Sequence, residues 1–353
     1  MNEIKTKKRI LFYLVHPSKF HLFRITINEL KKKHKVDIII NSKDVLEDLI
    51  KNEGWGYYNI FPKGRNTSNK PSIIKSGLKF VLTLIKLELF LIKKEKYDIF
   101  VTDDSLVVNG WIRNKTSYIF NDNDISTIKI NKILFYFATK IISPASTDLG
   151  KFEEKKISFK GNKALAHLHP SYFSADASVL KKYELEKNKF CLIRVAKLNA
   201  THDVNNNEGI LDRDIEKIID LINNRIKIVI ISERKLPLKF EKMKFKGNPS
   251  DIPSLLSFAR FLISDSGTMA TEAAVLGTPN ILINRLAKDI GVHKELSDFG
   301  LQYFYEDISY SFNKIKNFIS NEHIKKIFME KRNKYIEKCD DINKLFLNLF
   351  EGK

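Results

Sequence analysis

Cysteine is nearly missing from this chain, with only Cys191 and Cys339 among 353 residues. That excludes a disulfide framework and a clustered-cysteine metal site, and it fits a reducing compartment. Long apolar runs are missing as well. No stretch reaches about 18 uninterrupted apolar residues, so no membrane-spanning helix is expected. The first residues, MNEIKTKKRILFYLV, are basic and then apolar. They lack the longer apolar core and small-residue cleavage site of a signal peptide, and read as a basic tail leading into a first strand. Acidic residues are in short supply, 42 against 61 Lys and Arg, which leaves a net charge of +19. An excess of this size points to nucleic acid, an anionic membrane or an acidic substrate. RNA-binding aromatic signatures, zinc-finger spacing and a recognition helix are absent, so nucleic acid is not expected. The expected location is cytoplasmic, with peripheral contact on the cytoplasmic face of an anionic membrane. No repeat of solenoid period is present.

What is there is globular: 43% hydrophobic and 29% charged residues, with length for two ordinary domains. The first half alternates strand and helix patterns. Strands are expected at Arg9–Val15, Val36–Ile40, Tyr97–Thr102, Thr116–Phe120 and Lys140–Ser143, with a helix over Phe20–Lys33 and loop over Gly54–Pro71. Ile73–Lys94 reads as a long core helix, with a helix lying on a membrane surface as the alternative. Polar residues gather at the carboxyl ends of these strands, as in a doubly wound parallel sheet. Ala164–Ser178 has no clean period and reads as a connector. A second series follows: a strand at Phe190–Ala196, a polar loop, a helix at Ile210–Asn223, a strand at Lys227–Ser232 and a helix near Ile252–Ser257. The last helices are expected over Ser311–Ile319 and Glu322–Phe350.

The densest signal is RFLISDSGTMATEAAVLGTP, Arg260–Pro279. It reads as a buried strand (Phe261–Ser264), a polar turn, and a helix from about Thr268 to Leu276 stopped by Gly277 and Pro279. The free N–H groups at the start of such a helix, with its dipole, form an anion site. Gly267 admits a phosphate close to the backbone, and Ser266 and Thr268 add hydroxyl donors. Glu272, one turn after Thr268 on the same face, can accept the two hydroxyls of a ribose. Met269, Ala273 and Leu276 read as the buried face.

ISDSGTMATEAAVLGTP resembles the donor-binding segment of the GT-B superfamily, in particular that of non-hydrolysing UDP-N-acetylglucosamine 2-epimerases and of the lipid I N-acetylglucosaminyltransferase. A closer likeness is to the family catalogued as domain of unknown function 354. It is carried by HPSKFHLFRITINELKKKHKVDI, ALAHLHPSYF, IRVAKLNATHDVNNNEG and the segment above. The resemblance implies an α/β, GT-B-like fold: two Rossmann-type doubly wound parallel-sheet domains facing a central cleft. The expected division is 1–165 as the acceptor-side domain, 166–186 as connector, 187–320 as the donor domain, and 321–353 as a C-terminal helix packing back on the first domain. It also implies that Ser266, Gly267 and Thr268 hold the donor diphosphate and Glu272 the ribose. Thr268 stands where the epimerases usually have a second glycine.

Further candidates follow. Arg194 can clamp a diphosphate, although its strand position also suits a buried ion pair. His202, with Asp203 fixing its tautomer, can donate to phosphate. His21, beside the first strand-to-helix turn, is the candidate general base of a transferase, or else packs beside Phe20. Asp103 and Asp104, an adjacent like-charge pair at a strand end, are a second base candidate, or else cap the next helix. His16 is a weaker candidate. Asp122-Asn123-Asp124 reads as loop chemistry, and His167 and His169 lack a third zinc ligand. The expected activity is metal-independent glycosyl transfer from a nucleotide-diphosphate sugar, a substrate with no cofactor, to a glycan or lipid-linked acceptor in envelope polysaccharide or glycolipid synthesis. The alternative is a nucleotide-sugar 2-epimerase or hydrolase of the same fold.

Overall fold

The apolar runs of the first half pair side by side as parallel strands. The structure, a computed structural model, describes residues 7–42, 45–64, 73–94, 96–128, 131–196 and 209–352. The chain divides into two units: unit 1 is Met1–His167 with Asp340–Lys353, and unit 2 is Leu168–Cys339.

Unit 1 runs β1 (Arg9–Leu14), α1 (Pro17–Lys31), β2 (Lys35–Asn41), α2 (Leu46–Asn52), β3 (Tyr58–Phe61), α3 (Ile73–Ile92), β4 (Ile99–Thr102), α4 (Leu106–Ile112), β5 (Thr116–Phe120), α5 (Leu134–Phe137), β6 (Lys140–Pro144) and β7 (Lys156–Phe159), with α6 (Leu165–Leu168) at its boundary. The sheet order is β3-β2-β1-β4-β5-β6-β7, and each neighbouring pair is parallel. A parallel sheet covered on both faces needs continuously apolar strands. Ile10–Leu14 of β1 are accordingly all fully buried.

Unit 2 runs α7 (Ser178–Lys182), β8 (Phe190–Val195), α8 (Asp212–Ile222), β9 (Lys227–Ser232), α9 (Ile252–Phe258), β10 (Phe261–Ser264), α10 (Gly267–Val275), β11 (Asn280–Ile283), α11 (Gly291–Asp298), β12 (Tyr303–Tyr305), α12 (Phe312–Ser320) and α13 (Ile324–Ile336). Its order is β12-β11-β10-β8-β9, again all parallel. The expected doubly wound parallel sheets are therefore present in both halves.

The expected single helix over Glu322–Phe350 is two. α13 ends at Ile336, and α14 (Ile342–Glu351) starts afresh with the Asp341 side chain accepting from the Lys344 amide at 3.1 Å. α14 belongs to unit 1, where it packs on α1. Phe346 and Phe350 are fully buried there, with Phe346 5.1 Å from the Phe23 ring and Phe350 5.8 Å from that of Phe12. Truncating one such ring costs about 3–5 kcal/mol. Asn343, buried beside them, is satisfied by Thr26 Oγ1 donating at 3.0 Å and by donating to the Ala166 carbonyl at 2.8 Å.

Three strands escape the sequence pattern: β3, inside the stretch expected to be loop, β7 and β12. All three are short edge strands: β3 and β7 are four residues with polar residues interrupting the apolar ones, and β12 is only three residues long. The expectation of a core helix at Ile73–Lys94 also needs correction. α3 buries Thr83, Leu87 and Leu91, while an opposite row of aliphatic side chains stands in solvent. Among the described residues no helix is long and apolar enough to cross a membrane.

Candidate functional site

Each sheet reverses its strand order once, between β1 and β4 in unit 1 and between β8 and β10 in unit 2. Ligands of open α/β sheets bind outside the carboxyl ends of the strands at such reversals.

In unit 2 the reversal carries the segment that dominated the sequence. β10 places Ser264 in register with Arg194 of β8. The turn that follows is closed by Ser264, whose Oγ accepts from the Ser266 amide at 2.9 Å and donates to the Ser266 carbonyl at 3.1 Å. Ser266 then stands extended before α10 and makes no side-chain cap bond. The first helical bond of α10 is Ala270 N–H to Ser266 O, at 3.1 Å. The amides of Gly267, Thr268 and Met269 thus have no partner among the described residues, and they point out of the positive end of the helix dipole. Thr268 is exposed and Glu272 half-exposed, while Met269, Ala273 and Leu276 are buried as expected. Gly277, at φ +70°, ends the helix, and a Cβ there would meet Met329 Sδ at 2.4 Å.

Gly267 has a reason beyond backbone freedom. A Cβ on it would meet His293 Nε2 at 2.9 Å. His293 is buried, and its Nδ1 lies 2.8 Å from Gln302 Oε1, which can only accept. Facing that oxygen, Nδ1 is the donor, and Nε2 faces the Ser266–Gly267 turn.

Asp265, passed over in the sequence, organises this reversal. Its Oδ1 accepts from the Ala196 amide at 2.8 Å and its Oδ2 from the Ile210 amide at 3.2 Å. One carboxylate therefore ties both flanks of the loop after β8. Gly209, at φ +90°, permits the approach: a Cβ there would sit 2.9 Å from Asp265 Oδ2. Burial pushes the Asp265 carboxyl above its ordinary range, and the two amides and Arg194 pull against that. His202 and Asp203 lie within that loop, outside the described residues.

Arg194 is not poised as an open clamp. Its guanidinium is buried, ion-paired to Glu233, and donates to the carbonyls of Val195 at 3.3 Å and Ile231 at 3.5 Å. Arg194 is largely covered, whereas its partner Glu233 is about half exposed at 53%, so the pair lies at the edge of the sheet's carboxyl end and is not a fully buried one. The Arg194 Nε, also buried, has no partner among the described residues.

In unit 1 the reversal is filled by charge. Lys19 of α1 is buried, with Nζ 3.5 Å from Asp103 Oδ2 and 4.7 Å above the Phe120 ring. Asp122, at the end of β5, pairs with Lys163 at 2.8 Å. The two carboxyls are driven apart. Burial raises Asp103, its neighbour Asp104 adds to the rise, and Lys19 opposes it. Burial also acts on Asp122, but Lys163 and Lys19 outweigh it and hold that carboxyl at about 2. Asp103 Oδ1 is buried without a partner among the described residues. Asp104 instead serves the local turn: its Oδ1 accepts from the Ser105 amide at 2.5 Å, and its own amide donates to Thr102 Oγ1 at 3.0 Å.

His16 caps α1, its Nδ1 accepting from the Ser18 amide at 3.1 Å, with Pro17 at the first helical position. His21 packs between the Phe20 ring at 5.3 Å and the His167 ring at 5.1 Å. Asp124 accepts from the Asp148 amide at 2.8 Å, so the Asp-Asn-Asp stretch is taken up by Lys163 and by the backbone. Lys19, Asp122, Lys163 and Gln302 were not singled out as site residues in the sequence, because each acquires its meaning from a partner distant along the chain.

The chain belongs to the family described as "Protein of unknown function (DUF354)", whose profile matches residues 15–348. Among curated proteins it is 28% identical over 159 residues to the uncharacterized protein MJ0665 of Methanocaldococcus jannaschii. That match spans 43% of this chain and about half, 46%, of the relative's length. Among solved structures it is similar to S. aureus MnaA solved with UDP, with a TM-score of 0.71 at 14% identity, over 98% of this chain and 96% of the other. It is similar too to the UDP-GlcNAc 2-epimerase of M. jannaschii solved with UDP-GlcNAc and UDP, with a TM-score of 0.67 at 15% identity, over 98% and 100% of the two chains. A third is the glycotransferase of kitacinnamycin, with a TM-score of 0.60 at 12% identity, over 99% of each chain. At these identities the likeness is one of fold, and the fold is GT-B-like.

Proposed function

We propose that this DUF354 member is a nucleotide-sugar enzyme that holds a nucleoside-diphosphate sugar on the first turn of α10 and transfers the sugar to an acceptor hydroxyl. The observation that carries the reading is the open first turn of α10 at the strand reversal of unit 2. Gly267, kept free of a side chain by the His293 ring, lets a diphosphate reach those amides. Glu272, one turn along, takes the ribose hydroxyls. The presence of UDP in two solved structures of similar fold supports the same assignment.

Transfer makes a bond from the acceptor oxygen to the anomeric carbon and breaks the bond to the diphosphate. The amides and dipole of α10 receive the charge left on the departing diphosphate. The acceptor proton needs a base, and Asp103, with its raised pKa and an Oδ1 that has no partner among the described residues, suits that role better than Asp104, which serves its own turn. His21 is retained as a binding or proton-relay candidate beside His167.

The epimerase reading is favoured by one observation: Asp103 and Asp122, at neighbouring strand ends, have pKa values driven in opposite directions, as a proton-donating and a proton-accepting pair require. Titration calorimetry with UDP and with UDP-sugars tests the shared site. Glu272→Ala is expected to weaken binding by about 1–3 kcal/mol, the scale of lost charged hydrogen bonds. Unchanged affinity removes the ribose assignment, and no binding by the unmodified protein removes both readings. Incubation with the bound sugar nucleotide and no acceptor then separates them: a C2 epimer or free UDP rejects transfer.

A further inference from the structure

The correction at α3 has a surface consequence. Leu78, Val81, Leu82, Ile85, Leu89 and Ile92 are 47–66% exposed. Their spacing keeps all six on one stripe of the helix, opposite the buried Thr83, Leu87 and Leu91. On α4, which packs beside α3, Trp111 and Ile112 extend the exposed apolar surface at 61% and 59%. Isolated exposed aliphatics are ordinary, whereas a contiguous run along a whole helix marks an interaction face.

The charges that flank this face are mainly basic, and the flanking carboxylate, Glu88, is neutralised by Arg113. Lys79, Lys86 and Lys93 repeat every seven residues, which sets them along one flank of the stripe. Glu88 lies on the other flank, where Arg113 pairs with it at 2.5 Å and Asn109 donates to it at 2.9 Å. Lys86 and Lys94 lie along aromatic rings, 4.1 Å from Phe61 and 4.3 Å from Tyr58. The helix is not long and apolar enough to cross a bilayer, but a helix with one apolar stripe and lysines beside it suits the plane of the interface.

We propose that α3 docks on the surface of an anionic phospholipid bilayer. Its aliphatic stripe enters the headgroup and acyl boundary, and Lys79, Lys86 and Lys93 lie at the level of the lipid phosphates. A second copy of the chain is the poorer occupant, because each copy carries +19 and would bring lysine rows of like sign together. The proposal concerns a surface separate from the α10 turn and stands without the nucleotide-sugar reading.

Vesicle sedimentation of the purified full chain tests it, using phosphatidylcholine vesicles with and without about one-third phosphatidylglycerol. Binding is expected to the anionic vesicles, at least tenfold weaker to the neutral ones, and weakened by added salt. A Leu82→Ser, Ile85→Ser, Leu89→Ser variant, with wild-type circular dichroism, is expected to lose at least tenfold in affinity. So is Lys79→Glu with Lys86→Glu, which leaves the apolar stripe whole. Absence of anionic-vesicle binding, equal binding to both vesicle types, or wild-type binding by both variants overturns the proposal. So does a dimer in sedimentation equilibrium that dissolves in the triple variant without vesicle binding, which assigns the face to a second copy.

Discussion

At the reversal of unit 1, α1 begins with its first turn closed by the His16 side chain and by Pro17, and the space at the strand ends is occupied by Lys19, Asp103, Asp122 and Lys163. At the reversal of unit 2, α10 begins with three amides that have no partner among the described residues, and with serine, glycine and threonine in place of large side chains. The two places share one topology. What differs is which charges are already satisfied. The first has brought its own cations and anions into contact and spends its fields on shifting carboxyl pKa values. The second leaves its positive field unneutralised by the described residues, which is the condition for binding an anion from solution. Fold places both reversals, and side-chain choice makes their electrostatics differ.

That difference can be broken at either end. Asp103→Asn is expected to reduce turnover by about a thousandfold while UDP affinity is unchanged, the range of a lost general base. Steady-state kinetics beside calorimetry checks it, and a parallel loss of UDP affinity would erase the distinction between the units. Gly267→Val puts a branched side chain against the His293 ring and under the open amides. UDP affinity is expected to fall by about a hundredfold, near 3 kcal/mol, with the unit 1 carboxyls untouched.

Asp122→Asn tests the charge filling through stability. Folding lowers this carboxyl from 3.8 to about 2, so its contribution is present above the unfolded value and is lost as pH falls from about 4 through about 2. The substitution is expected to cost about 2 kcal/mol at pH 7 and progressively less below pH 4, read by urea denaturation. A pH-independent cost would mean that Lys163 and Lys19 do not set the pKa. The smallest effect is expected from His16→Ala, which removes the α1 cap. It should cost about 1 kcal/mol in thermal stability and leave UDP affinity as it was. Tighter UDP binding in that variant would show that the α1 turn also competes for the anion.

The unit 2 half of this comparison was largely visible in the sequence. Strand, turn, helix and stop in Arg260–Pro279 are all set by neighbours along the chain, and Gly267, Glu272 and the buried row at Met269, Ala273 and Leu276 fall where local pattern put them. The unit 1 half was visible only in its carboxylates. Nothing near Lys19 in sequence announces that a lysine will be buried against Asp103, and Lys163 meets Asp122 across 41 positions. Asp265 shows the same limit from the other side. It sits inside the most legible segment, yet its partners Ala196 and Ile210 are 69 and 55 residues away. Arg194 was legible as a charge on a buried strand, and only Glu233 decides its use. The edge strands β3, β7 and β12 were hidden because they are short, and the first two interrupt their apolar residues with polar ones.

The placement of α14 bears on the order in which this protein can be made. Residues 340–352 complete the core of unit 1 with Phe346 and Phe350, yet they are translated after every residue of unit 2. A chain growing from its N-terminus can close unit 2 as one continuous stretch, while the earlier-made unit 1 waits with an apolar groove on α1 uncovered. Unit 1 is therefore begun before unit 2 and completed after it. The 172 residues of Leu168–Cys339 separate the two parts of its core, so unit 1 keeps that groove uncovered while they are being added.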